Sequence, residues 1–190
     1  VDVFRFHAEL DGVQFPDPHA AGMVDDIASF IPAHMFAEFA LPYWEQYYTG
    51  ITTGIRRAHV EDLQREQLQF LQDIGLSYFD PSISRKLSPP MLRDEIQVPF
   101  GWRLGSFHYR DMDEELVRDF VFQAAADGAS SVFTIIEGSL SNDEGHAKVM
   151  TFKAAGEEVE RLLAEGCSRQ ELGSHVSELG KARFWDRFPE

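Results

Sequence analysis

The feature that most constrains the fold is an alternation of short apolar segments with longer amphipathic ones. Strand-like segments occur at residues 1–7, 55–60, 76–80, 100–109 and 131–136. Helix-like segments fall between and after them: from Pro32 to about residue 50, 62–74, 88–96 and 113–126, with two more that finish the chain. Strands that alternate with helices of this length predict a parallel sheet built from βα units. An open doubly wound sheet and a (β/α) barrel share this order, and the periodicity alone does not separate them.

Breaker residues set several of the predicted boundaries. Glycines and prolines between residues 9 and 22 predict a loop after the first strand. Pro42 predicts a kink in the first long helix, and Gly75 a left-handed cap at the end of the second. The order Ser-Arg-Gln-Glu from Ser168 to Glu171 predicts a capping box that opens the last helix.

Composition excludes several classes of partner. Seventeen Lys and Arg against 32 Asp and Glu leave a formal net charge of −15, which repels a phosphate backbone and makes nucleic acid an unsuitable partner. No apolar run approaches the ~18 residues that a membrane-spanning helix needs, and no signal peptide is visible. The single Cys167 excludes an intramolecular disulfide and any metal site built from several thiolates in this chain. We therefore expect a cytoplasmic protein.

Polar side chains follow the ends of the predicted strands. In parallel α/β folds the carboxyl ends of the strands meet at one rim, where sites are built. The residues at these ends are His7, Glu9, His59, Glu61, Asp80, Ser106, His108, Arg110, Glu137 and Ser139. We expect His59, Glu61, Asp80, His108 and Glu137 to converge on a single cavity, with His59 and Glu61 nearest one another.

The stretch Ala58-His59-Val60-Glu61-Asp62 is the strongest of these signals. Glu61 and Asp62 alone fit the acidic first turn of a helix, but that interpretation leaves His59 unexplained. Side chains at i and i+2 of an extended strand end point the same way. His59 and Glu61 can therefore meet at one substrate proton or one metal ion, although two ligands alone do not make a zinc site.

Other residues are predicted to complete the rim. Ser106 and His108 lie two residues apart on a predicted strand, where His108 is either an acid–base group or a structural histidine. Glu137 follows an apolar strand and is predicted to be a partly buried carboxylate. Predicted substrate contacts are His7, Glu9, Tyr78, Trp102, Arg103 and Arg110, the two arginines as anchors for carboxylates and Phe6 and Phe79 as further apolar walls.

Three stretches together resemble a known family. Residues 26–44, DIASFIPAHMFAEFALPYW, look like an acidic loop followed by that family's (S)PEMFEEFVLPYW segment. Residues 74–81, IGLSYFDP, are similar to its E(I/L)G(V/I)DYFDP strand, and residues 128–142 fall where it has a last strand and a Ser/Pro/Gly-rich loop. In their order and spacing they resemble the C-terminal half of the barrel in the uroporphyrinogen decarboxylase-like superfamily, which holds the decarboxylase and the corrinoid-linked methyltransferases.

The resemblance implies a function and a set of site residues. The His59 segment falls where the methyltransferase branch carries His-x-Cys, whereas the decarboxylases generally lack that histidine. The resemblance therefore implies transfer of a methyl group between a small methylated substrate and a corrinoid or thiol acceptor, with His59, Asp80, His108 and Glu137 as catalytic candidates. Glu61 replaces the first zinc thiolate and Ser139 stands near the second, so a zinc site would be oxygen-rich, with His59, Glu61 and Glu137 as ligands.

The chain is expected to form about half of a TIM-like barrel, as a single domain over residues 1–190. About five βα units are readable, whereas a complete barrel has eight and ~250 residues. A half-barrel leaves open sheet edges, so it should belong to a longer protein or pair with another copy, a second half-barrel chain or a corrinoid protein. Two other functions stay open: a decarboxylase or lyase on an anionic, tetrapyrrole-like substrate, and a non-enzymatic half-barrel partner subunit.

Overall fold

A computed structural model describes residues 19–184, which form two compact units. The first unit holds residues 19–82 and Glu95–Pro99, and the second holds Ile83–Asp94 and residues 100–184. The predicted first strand, with Phe6 and His7, and the predicted site residue Glu9 lie outside the described residues. The predicted single domain stays a prediction.

The first unit is built on a three-stranded parallel sheet. Its strands are β1 (Ala20–Val24), β2 (Ile55–His59) and β3 (Tyr78–Asp80), in the order β1-β2-β3. The loop predicted for residues 9–22 is wrong for its last residues, because β1 begins at Ala20. Gly22 pairs with Arg57 of β2, so ladder hydrogen bonds outweigh the weak strand preference of glycine.

Two helices connect β1 to β2. They are α1 (Ala33–Phe39) and α2 (Leu41–Ile51), preceded by a 3₁₀ helix at Asp26–Phe30. The kink predicted at Pro42 is a complete break at Ala40, since Pro42 occupies the opening turn of α2, where its missing N–H is not needed. On these helices Phe36 and Trp44 are buried, while Phe39 and Tyr43 are exposed.

The helix predicted for residues 62–74 is present only in pieces. A 3₁₀ turn covers Arg65–Gln67 and α3 covers Phe70–Asp73. The Gln67 side-chain amide donates to the carbonyl oxygens of Ala28 and Ile31, so contacts with the preceding turn replace a continuous helix. Leu68, Leu71 and Ile74 are buried, and the cap predicted at Gly75 is confirmed by a φ of 64°.

The second unit holds a two-stranded parallel sheet. Helix α4 (Pro89–Glu95) precedes β4 (Gly101–Leu104), and α5 (Glu114–Ala126) connects β4 to β5 (Ser131–Thr134). Both strands are shorter than predicted. After β4 the chain turns into a 3₁₀ helix at Ser106–Arg110, and Ile135 and Ile136 lie exposed beyond β5.

Three helices rather than the predicted two finish the described chain: α6 (Asp143–Ala164), α7 (Arg169–Ser174) and α8 (Glu178–Arg183). The Ser168 capping box is confirmed. The helical core contains Val121, Phe122, Ala125, Ala155, Val159, Leu172 and Val176. Burial of one such large apolar side chain contributes about 1.5–3 kcal/mol, so this core fixes α6 and α7 against α5.

The predicted α/β class with parallel strands is confirmed in both small sheets. Among the described residues, none of the helices combines the length and the apolar character that a bilayer crossing needs.

Candidate functional site

His59 and Asp80 form the centre of the candidate site. His59 ends β2, Asp80 ends β3, and the two are register partners in the parallel sheet. The His59 Nδ1 lies 2.8 Å from the Asp80 Oδ2, while the other oxygen of Asp80 accepts the backbone N–H of Ser82 at 2.7 Å. The prediction that Glu61 is the carboxylate nearest to His59 is therefore wrong, because strand register brings Asp80 closer than the i, i+2 spacing brings Glu61.

The second ring nitrogen of His59 faces two further carboxylates. Its Nε2 lies 3.8 Å from the Asp26 Oδ1 and 3.9 Å from the Glu61 Oε1. The His59 side chain is 25% exposed. We call His59, Asp80, Asp26 and Glu61 the His59 site.

The chain around β1 and β2 holds this site in place. The N–H of Asp25 donates to the carbonyl oxygen of His59, and the Asp25 carboxylate accepts from the indole of buried Trp44 at 2.8 Å. Asp26 also accepts the backbone N–H of Glu61 at 3.0 Å. Asp62 then takes a φ of 57°, a left-handed conformation that turns the chain directly after Glu61 and stores backbone strain beside the site.

The hydrogen bond to Asp80 assigns the roles of the two ring nitrogens. A carboxylate only accepts, so Nδ1 of His59 carries the proton and, in the neutral ring, Nε2 is the acceptor. Asp26, Glu61 and Asp80 make no ion pair with any Lys or Arg among the described residues. The site is therefore a histidine in a locally negative environment.

The predicted zinc ligands are not drawn together as they are around a bound zinc ion, and zinc binding stays a prediction. Two atoms bound to one tetrahedral zinc at ~2.1 Å are about 3.4 Å apart, whereas Asp26 and Glu61 both lie farther than this from Nε2 of His59. Within residues 19–184, no group of three or more His, Cys, Asp and Glu is arranged to hold a metal.

Apolar side chains flank the His59 site. Val24 is the β1 register partner of His59, and it is exposed together with Ile27 and Phe30 of the 3₁₀ helix that follows. Of the predicted apolar walls in this unit, Tyr78 is half-buried and Phe79 is fully buried in the core. Val24 thus lies beside His59, and Ile27 and Phe30 follow in the turn after β1; the sequence did not single out these three as site residues.

In the second unit, other predicted site residues meet at a cavity of about 400 Å³. Ser106, Arg110, Glu137 and Ser139 line it, together with Phe107, Tyr109, Leu140, Asn142, Glu144, Gly145 and Lys148. Glu137 is exposed, not partly buried as predicted, because β5 ends three residues before it. The hydrogen bond from Lys148 lowers the pKa of the Glu144 carboxyl.

His108 does not line this cavity. The predicted extended segment is wrong at this point, since His108 lies on the 3₁₀ helix after β4, where its Nδ1 accepts the backbone N–H of Gly105 at 3.2 Å. On β4 itself, Trp102 is buried and Arg103 is half-buried. The proposed contacts of Trp102 and Arg103 with a substrate stay predictions.

The predicted convergence is met in part. His59, Glu61 and Asp80 lie together in the first unit, and Glu137 lies with Arg110 in the second. Convergence of both sets on a single cavity stays a prediction.

Two residues of these sites were missed by the sequence reasoning. Asp26 was passed over because the strand before it was predicted as loop. Lys148 was passed over although it lies at the spacing of the buried α6 positions Ala155 and Val159, which are 7 and 11 residues further on. A lysine on an apolar helical stripe was the available signal.

The chain matches no protein-family model, and no curated protein is similar enough to count as a match.

Proposed function

We propose that the chain is a methyltransferase of the uroporphyrinogen decarboxylase-like superfamily and that His59 is its general base. The observation that carries the proposal is the hydrogen bond from the Nδ1–H of His59 to Asp80, which leaves Nε2 as the proton acceptor at the carboxyl edge of a parallel sheet. A base held in one orientation by a carboxylate is the recurring arrangement for activating a weak nucleophile. We further propose that the two small sheets are parts of a half-barrel and that the protein is cytoplasmic.

The arrangement suits a thiol acceptor. Nε2 of His59 takes the proton of the thiol, and the thiolate sulfur then attacks the methyl carbon of the donor. The bond from that carbon to the donor heteroatom breaks with its electron pair left on the heteroatom, and the proton held by His59 returns to the leaving group or to solvent. A reduced corrinoid acceptor offers no proton for His59 to take, so the pair favours a thiol.

Local charge favours methyl transfer over decarboxylation of a tetrapyrrole. The three carboxylates around the His59 ring lie within 4 Å of it and lack a Lys or Arg partner among the described residues, so a substrate with several carboxylates is repelled. A neutral or cationic methyl donor is not repelled, and the exposed Val24, Ile27 and Phe30 offer it apolar contact.

A second candidate is a carboxy-lyase in which His59 donates a proton. Asp26 and Glu61 lie 3.8 Å and 3.9 Å from Nε2, and a protonated imidazole at this position is the donor that a carbanion left by loss of CO₂ needs. In this reaction His59, held by Asp80, would donate a proton to the substrate instead of accepting one.

The test is a methyl-transfer assay with the full chain. Deuterium-labelled methyl donors, either ammonium, sulfonium or ether, are incubated with a thiol, and S-methyl product is measured by mass spectrometry. We expect turnover to fall by about 10²–10⁴ in His59→Gln. His146→Gln is the matched control, since His146 is exposed on α6, and it should leave turnover unchanged.

The same assay separates the candidates. Turnover that survives in His59→Gln refutes the general base, and CO₂ release from carboxylated substrates without methyl transfer supports the lyase instead.

A further inference from the structure

Lys148 is a buried cation that the proposed reaction does not use. Its side chain is 8% exposed, and its ammonium donates to the carbonyl oxygen of Tyr109 at 2.8 Å and to the Oε1 of Glu144 at 2.6 Å. An ammonium has three N–H donors, so one remains beyond these two bonds. Since Lys148 lines the cavity of the second unit, that donor is available to a molecule inside it.

Burial of Lys148 costs desolvation free energy that its ion pair with Glu144 does not require. Glu144 is 77% exposed, so the same pair formed at the surface would avoid desolvation of the ammonium. The bond to Tyr109 gives Lys148 a packing role, but it does not require the charge to border a cavity. A charge kept at a cavity wall has the placement of a ligand-binding group.

Further hydrogen-bond donors surround the same cavity. Arg110 is exposed and forms no ion pair or hydrogen bond with the residues that the structure describes. The hydroxyls of Ser106 and Ser139 likewise bond to no residue in 19–184. The Asn142 Oδ1 accepts the N–H of Gly145 at 2.7 Å, which leaves the NH₂ of that amide as a donor.

Acceptors in the lining are fewer. Glu144 is already bound to Lys148, so Glu137 is the one lining carboxylate that lacks a partner among the described residues. The cavity therefore presents two cations and three neutral donors against one unengaged carboxylate, which is a lining that matches oxygen acceptors of a ligand.

We propose that this cavity binds the oxyanion group of a small ligand, either a carboxylate or a phosphate, through Lys148 and Arg110. Ser106, Ser139 and Asn142 supply the remaining donors, and the volume of about 400 Å³ suits a small molecule. The inference does not rest on the methyl-transfer proposal, because none of these residues belongs to the His59 site.

The test is a titration followed by ¹⁵N NMR, with inorganic phosphate and acetate as separate probes at constant ionic strength. We expect saturable shifts at the amides of Ser106, Ser139 and Gly145. Lys148→Met and Arg110→Gln should each weaken binding by about tenfold or more, the usual loss when one charged hydrogen bond is removed. Lys153→Met is the matched control, since Lys153 lies on the same helix, carries the same charge and is 60% exposed outside the cavity.

Glu137→Gln distinguishes an oxyanion from a cationic ligand. Removal of this carboxylate should tighten the binding of either anion, whereas a site for a cation would be weakened. A response to phosphate alone or to acetate alone identifies which oxyanion the cavity takes.

The proposal is overturned if neither probe saturates, if Glu137→Gln weakens binding, or if Arg110→Gln and Lys153→Met behave alike. Arg110 is exposed, so this comparison remains decisive even if Lys148→Met fails to fold.

Discussion

The substitution Asp80→Asn should reverse the tautomer of His59. In the native site one Asp80 oxygen accepts the N–H of Ser82 and the other accepts the Nδ1–H of His59. An amide at position 80 keeps its oxygen on Ser82, which turns its NH₂ toward His59. Nδ1 then becomes an acceptor, so the proton of the neutral ring moves to Nε2.

The size of the effect follows from the two hydrogen bonds involved. A hydrogen bond to a charged carboxylate contributes about 1.5–3 kcal/mol, and a neutral bond about 0.5–1.5 kcal/mol. Asp80→Asn removes the charged bond that stabilises the Nδ1–H tautomer and adds a neutral bond that stabilises the Nε2–H tautomer. The free-energy difference between the two tautomers should therefore shift by about 2 kcal/mol or more. The tautomer ratio should therefore change by about 30-fold or more.

Long-range ¹H–¹⁵N NMR of the imidazole nitrogens measures this ratio directly, at about pH 8, where an ordinary imidazole is neutral. Exposed His146 serves as an internal reference and should show the same mixture in both proteins. A native His59 with its proton on Nε2, or a tautomer that Asp80→Asn leaves unchanged, would refute the reasoning. If His59 is the base of a methyl transfer, the variant should also lose turnover, because Nε2 no longer accepts a proton.

Three further predictions concern stability. Asp119→Ala should lower the free energy of unfolding by about 2–4 kcal/mol in urea titrations, since this buried carboxylate accepts the backbone N–H and the hydroxyl of the residue that caps α8. Gly180→Ala should lower the free energy of unfolding by about 1–3 kcal/mol, because its Cβ would lie 2.5 Å from the Asp119 Oδ2. Gly156→Ala, with open space around it in α6, should raise the free energy of unfolding by up to about 1 kcal/mol. Equal effects of the two substitutions would contradict this reasoning. The hydrogen bond from Arg56 lowers the pKa of Glu45, so its contribution is present above the ordinary glutamate pKa and is lost as the pH falls through the lowered value. Glu45→Gln should therefore cost up to about 1 kcal/mol at neutral pH and nothing in strong acid, and a cost that persists in acid would rule out the ion pair as its cause.

Most strands and helices of the described chain were predictable, because their signals are local. The buried face of α5, from Leu116 to Ala124, and the glycine cap at Gly75 follow directly from spacing and residue type. The errors fall where partners distant in sequence intervene. Residues 20–24 form a strand only because β2 provides a hydrogen-bonding edge, and the helix predicted after His59 is broken where Gln67 bonds to backbone 36 and 39 residues away.

The candidate site shows the same division. The sequence by itself determined that His59, Glu61 and Asp80 stand at strand ends, since apolar strands followed by polar residues are a one-dimensional pattern. Which carboxylate holds the imidazole was decided by strand register, a property of the sheet that sets His59 beside Asp80, 21 residues away, and leaves Nε2 toward Asp26 and Glu61. Local spacing fixes the direction of a side chain, but the identity of its nearest neighbour depends on packing between segments, and only the tertiary structure contains that information.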